Sequence, residues 1–153
     1  MYRFCLILTI VFVAFVQSQN WFLQNLDTKC MKCLCNAATA CNLTIRCVSG
    51  YCGPYKISKI YWTQTGNITL TNDEPQRIGA YQDCANDYWC AQKIVKEYLR
   101  TFGRDCNMDG KTDCYDYMMI NFNGGFGCEQ PLERDEWGRG WLNRYNQCMA
   151  QKT

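Results

Sequence analysis

The chain has 153 residues, 48% of them hydrophobic and 20% charged, with 13 cysteines, no histidine and a formal net charge of +2. So balanced a charge argues against nucleic acid as the main partner and against a generally cationic membrane-lytic protein. No stretch, the early apolar run included, reaches the roughly twenty apolar residues that a transmembrane helix needs.

That early run, from Phe4 to Val16, follows the basic Arg3 and ends in small polar residues around Ser18. It reads as a signal peptide cleaved after Ser18, which leaves a single domain over 19–153 and predicts a secreted, extracellular protein. Cleavage removes Arg3 and Cys5, so the net charge falls to +1 and twelve cysteines remain. They are Cys30, Cys33, Cys35, Cys41, Cys47, Cys52, Cys84, Cys90, Cys106, Cys114, Cys128 and Cys148. An even count behind a signal peptide implies six disulfides of undetermined connectivity, with Cys106 and Cys114 expected to pair. Zinc is the rival for Cys30-x-x-Cys33, but the chain lacks histidine and the expected compartment is oxidising.

In chain order, the short cysteine spacings from Asp27 to Asn36 suit a helix capped by Asp27 and pinned by bridges. Two sequons, at Asn42 and Asn67, predict surface segments able to carry glycans. Tyr51 to Thr63, rich in Tyr, Ile and Trp with Gly and Pro at its start, reads as two short strands or a hairpin. From Tyr88, the residues Ala91, Ile94, Val95, Tyr98, Leu99 and Phe102 fall on one helical face, with Asp87 as cap and Gly103 as stop. A further helix is predicted from Asp113 to Gly124. Between Asp135 and Gln151, Trp137, Trp141, Tyr145 and Cys148 are spaced as a last helix. Helices around a small antiparallel sheet make a mainly helical, disulfide-rich α+β domain.

Asp105 to Asp116 carries a separate chemical signal. Asp105, Asn107, Asp109, Lys111, Asp113 and Asp116 stand at positions 1, 3, 5, 7, 9 and 12 of a calcium loop, with Gly110 at 6 and a helix following, so calcium is the one cofactor the sequence suggests. The plainer reading is a solvated acidic turn in which Asp113 caps the next helix.

Four motifs in order carry a family resemblance: Cys30-Met-Lys-Cys33-Leu-Cys35-Asn36, then Cys52-Gly-Pro-Tyr-Lys-Ile57 with Tyr61-Trp62, then Cys84-Ala-Asn-Asp87 with Cys90, then Asn123-Gly-Gly-Phe-Gly-Cys128. From Cys30 to Cys128 the chain resembles the invertebrate-type lysozymes, the destabilase group, and Asp105 to Tyr117 looks most like arthropod members. The resemblance implies a lysozyme-like α+β fold with a sugar-binding cleft between the helices and the small sheet.

It also exposes departures. Active members place a glutamate three positions after the third cysteine of the first cluster, where this chain has Ala38. They place an aspartate before the Cys-Gly-Tyr strand, where the link Val48–Tyr51 is shortened and has no carboxylate. Two family cysteines are missing, near Thr63-Gln64 and at Ile94, which looks like one lost bridge. No Asp or Glu occurs anywhere from Thr28 to Asn72. Glycosidases need two carboxyl groups, one protonated and one ionised, so hydrolysis would require carboxylates from elsewhere, such as Asp73, Glu74 or Asp87.

The sequence therefore points to a non-catalytic homologue that binds a peptidoglycan- or chitin-type glycan, or a protein partner, in defence or digestion. Tyr55, Tyr61 and Trp62 are the expected aromatic platforms and Asn36 an amide donor, so Trp62→Ala is expected to weaken binding. An active muramidase and an effector without sugar binding are the alternatives. Some relatives are credited with isopeptide cleavage by a serine and lysine. Ser58 and Lys59, adjacent on a predicted strand, would face opposite ways and could not easily form such a dyad.

Overall fold

Asp27 accepts a hydrogen bond from the Cys30 amide at 2.7 Å and so opens α1, Thr28–Thr39. The computed structural model describes Leu23 and residues 25–151, and the expected signal peptide lies outside them. In α1, Cys30, Met31, Cys33, Leu34, Ala37 and Ala38 are buried. The helix ends where Ala40 turns left-handed and its amide donates to the Asn36 carbonyl at 2.8 Å. Cys30 is bonded to Cys114 and Cys33 to Cys148, which fasten α1 to two later helices.

The sheet is one hairpin, β1 Tyr51–Cys52 antiparallel to β2 Ile57–Ser58, with Tyr51 opposite Ser58 and Cys52 opposite Ile57. Its turn needs Gly53: φ is +69°, and a Cβ there would lie 1.7 Å from the Ala85 carbonyl oxygen. The hairpin matches expectation, but the strand does not run on to Thr63. Residues Lys59–Thr63 form a short helix, α2, with the Ser58 hydroxyl accepting from the Tyr61 amide at 3.2 Å. The reason is burial. Tyr61 and Trp62 are neighbours that both go inside, which a strand forbids because adjacent side chains point to opposite faces.

Helix α3, Ala80–Asn86, was not expected; α4, Tyr88–Phe102, was. Cys84 and Cys90 bridge the two, and Asp87 caps α4 by accepting from the Cys90 amide at 2.7 Å. Helix α5, Cys114–Asn123, opens on a reciprocal cap in which Asp113 and Asp116 each accept from the other's end of the turn. A single 3-10 turn, Leu132–Arg134, leads into α6, Glu136–Ala150, capped by Asp135 and packed chiefly on α1.

All twelve cysteines among the described residues pair. The expected Cys106–Cys114 bond is not formed: Cys106 joins Cys128 and Cys114 joins Cys30, because the turn before α5 sends the two thiols to different neighbours. Cys35–Cys41 and Cys47–Cys52 close small local loops. The result is a mainly helical α+β domain whose small sheet packs against α2 and α3. Among the described residues, no helix is long and apolar enough to cross a membrane.

Candidate functional site: a cleft between the first and last helices

The C-terminal end of α1, the hairpin turn and the first turns of α6 enclose a cleft of about 870 Å³, which Ala38, Thr39, Lys56, Glu136, Trp137 and Arg144 help to line. A smaller hollow of about 240 Å³ shares Lys56, Trp137 and Trp141 with it and reaches Tyr51 and Arg134. The larger hollow alone has the size of a ligand site. Ala38 is 2% exposed. Thr39 bonds outward instead, its hydroxyl donating to the Pro54 carbonyl at 2.8 Å, which ties the end of α1 to the hairpin turn.

The aromatic faces here are not the expected ones. Trp137 is 74% exposed and Tyr51 52%, whereas Tyr55, Trp62 and Tyr61 are 0%, 1% and 6% exposed. The last three are core, a correction to their assignment as groove residues. Tyr55 donates to the Met31 carbonyl, and Trp62 Nε1 donates to the Ile68 carbonyl at 2.6 Å. Tyr61 stacks on Tyr98 at 3.6 Å and donates to Asn121 at 3.0 Å. Burial pushes the pKa of Tyr61 well above the ordinary value, with Tyr98 and Tyr55 adding to it. Asn36 is half-buried on α1 and does not line the cleft.

Sequence reasoning missed Trp137, Glu136 and Arg139. Trp137, Trp141, Tyr145 and Cys148 share the helical spacing of α6, but of these four only the last three are buried. The signal that could have found it is the pair Gly138 and Gly140: a helix that tolerates glycine in its first turns is making a close approach. A Cβ at Gly138 would lie 1.9 Å from the Leu132 carbonyl oxygen.

Among the described residues, Glu136 is the one carboxylate that lines either hollow. Of those suggested from elsewhere, Glu74 lines neither hollow, and the other two are committed elsewhere. Asp73 is held by Arg77, which keeps its carboxyl below the usual range, and Asp87 caps α4. The Ser58 hydroxyl accepts from the Tyr61 amide, while Lys59 Nζ lies 3.9 Å from the centre of the Trp62 ring, so Ser58 and Lys59 do not form a dyad.

The acidic turn is held by its own backbone. Asp116, 0% exposed, accepts from the amides of Cys106 at 2.8 Å, Asn107 at 3.3 Å and Asp113 at 2.8 Å. Asp105 accepts from the Asp109 and Gly110 amides, Asp109 from Lys111, and Asp113 from Tyr115. Asn107 Nδ2 donates to Asp109 at 3.0 Å. Among the described residues, no group of three or more His, Cys, Asp or Glu could hold a metal ion. In this conformation the side chains of Asp105, Asp109, Asp113 and Asp116 are turned to amides of their own loop, and Asn107 to Asp109, an arrangement that orders the turn ahead of α5. Of the sequons, Asn42 is exposed and accepts from Thr44; Asn67 is half-buried, with its Oδ1 buried and unpartnered.

This fold and cleft can be set beside known proteins. A lysozyme of Magallana gigas is 28% identical over 116 residues, covering 73% of this chain and 76% of that protein. Invertebrate-type lysozyme 3 of Caenorhabditis elegans is 31% identical over 114 residues, 71% of this chain and 79% of that protein. The crystal structure of Aeromonas hydrophila PliI in complex with Meretrix lusoria lysozyme contains a chain with a TM-score of 0.60 at 18% identity, covering 79% of this chain and 88% of that one. The Destabilase family model matches residues 27–148, the whole span from the cap of α1 to the last cysteine. The chain therefore belongs to the destabilase family, the invertebrate-type lysozymes.

Proposed function

We propose that this is a secreted member of the family that binds glycan in the α1–α6 cleft without cleaving it. One observation carries the reading. Ala38, standing where active relatives place their glutamate, lines the cleft, and a single carboxylate, Glu136, faces it. Glycoside cleavage needs two carboxyl groups, about 5–5.5 Å apart for retention or about 6.5–9.5 Å for inversion. One carboxyl group cannot be the protonated acid and the ionised partner in the same step. Exposed Trp137 and Tyr51 supply the flat faces on which sugar rings stack. The relatives named lysozymes support a wall-type glycan as the ligand.

Glu136 is the feature that favours the rival, an active muramidase with a relocated acid. A turbidity assay on bacterial cell walls separates them. No clearing is expected at concentrations where an active relative clears the suspension. Clearing that disappears in Glu136→Gln would establish the rival instead. Loss of a general acid costs about 10²–10⁴-fold, well within what the assay resolves.

A further inference from the structure

We propose that the α1–α6 cleft selects glycans whose sugar rings carry carboxylate or sulfate groups over neutral ones; the inference rests on the glycan-binding reading above. Lys56, Arg139 and Arg144 line one cleft, and Glu136 alone opposes them. That is an excess of two positive charges at one place, in a chain whose formal net charge is +2 altogether.

These cations are oriented but not neutralised. Arg144 Nε donates to the Ala37 carbonyl at 2.8 Å, and Arg139 donates to the Glu133 carbonyl at 2.9 Å. Lys56 Nζ stands 5.5 Å from the centre of the Trp137 ring. Elsewhere the pattern is the reverse. Of the seven arginines among the described residues, Arg77, Arg100, Arg104 and Arg134 are each in an ion pair. Two of the remaining three, Arg139 and Arg144, face this cleft. Burial without a counter-charge also works against Arg144, whose pKa is lowered by desolvation, and an anion beside it would offset that cost.

The shape of the donors narrows the ligand. A guanidinium presents a planar fork that matches the paired oxygens of a carboxylate or sulfate, and such charge-assisted bonds are about twice as strong as neutral ones. The exposed Trp137 ring adds a flat apolar face, which a sugar ring covers and an acidic peptide segment lacks. A charged sugar uses both; a neutral one uses only the ring and leaves two or three cations facing water.

The test uses the disulfide-intact protein and its tryptophan fluorescence. It is titrated with oligomers of matched length: neutral N-acetylglucosamine, a uronate-containing glycan, a sulfated glycan and oligoglutamate. Either charged glycan is expected to bind about tenfold or more tightly than the neutral one at low salt, with the gap closing as salt rises. The uronate and sulfate arms show which group is preferred. The double substitution Lys56→Gln with Arg139→Gln is expected to bring the ratio close to one. Equal affinities for charged and neutral sugars would overturn the selectivity while leaving glycan binding intact. Oligoglutamate binding as tightly as the charged glycans would reassign the cleft to an acidic protein segment. Failure of every oligosaccharide to bind would sink the glycan reading as well.

Discussion

Trp62 is the side chain whose role changed most between sequence and structure. It lies 1% exposed under Lys59 and beside Tyr81, with its indole N–H spent on the Ile68 carbonyl. Trp62→Ala is therefore expected to cost about 3–5 kcal/mol of stability, read as a lower denaturant midpoint. A variant as stable as the parent but weaker toward glycan would return Trp62 to the groove. The aromatic richness around Tyr55, Tyr61 and Trp62 was legible in the chain, but its direction was not. Whether a ring faces core or solvent depends on the turn that Ser58 caps, and a hydroxyl at one position does not announce a helix. The absence of Asp and Glu from 28–72, by contrast, was fully legible, since it holds in any conformation. Its opposite, the presence of Glu136 in the cleft, was invisible because it comes from the far end of the sequence.

At the scale of elements, the caps and periodicities did their work where helices are long. Asp27, Asp87 and Asp113 each accept from a backbone amide at the start of the helix predicted to follow them. The two short helices, α2 with five residues and α3 with seven, carry too few turns for a periodic signal. Helix α6 is the element on which the cleft depends, because its first turns bring Glu136, Trp137 and Arg139 together. Its entry angle is set where Gly138 lies against the Leu132 carbonyl. Gly138→Ala has to push that backbone apart and is expected to destabilise the fold by about 1–3 kcal/mol. The same shift should blue-shift or quench the Trp137 emission differently from the parent, a change that unfolding alone would not give under native conditions. An unaltered melting temperature would show that the 3-10 turn yields without cost.

Over the whole molecule, buried phenols set an upper pH limit. Desolvation raises the pKa of Tyr61 well above its ordinary 10.0, raises Tyr55 and Tyr145, and brings Tyr81 to about 12. The folded chain thus holds these protons after an unfolded chain would release them. Their contribution is complete below pH 10.0, the unfolded value, and is lost as the pH rises through 12 and beyond. Circular dichroism and tyrosinate absorbance are expected to change together above that limit. Phenols that all titrate near their ordinary value in a chain that stays folded would contradict it. Six bridges delay the outcome by restricting the unfolded ensemble, typically by about 2–4 kcal/mol each.

One of those bridges also fixes an order of events. Cys33 and Cys148 are separated by 115 residues, so a chain emerging from its N-terminus presents one thiol long before its mate exists. Meanwhile Cys30 and Cys35 lie within a few residues of it, as tempting wrong partners. Helix α1 cannot be fastened to α6 until Cys148 arrives, and the candidate cleft lies between the two. A molecule truncated before Cys148 keeps an unmatched sulfur at Cys33 and lacks the covalent tie between the two helices that form the cleft.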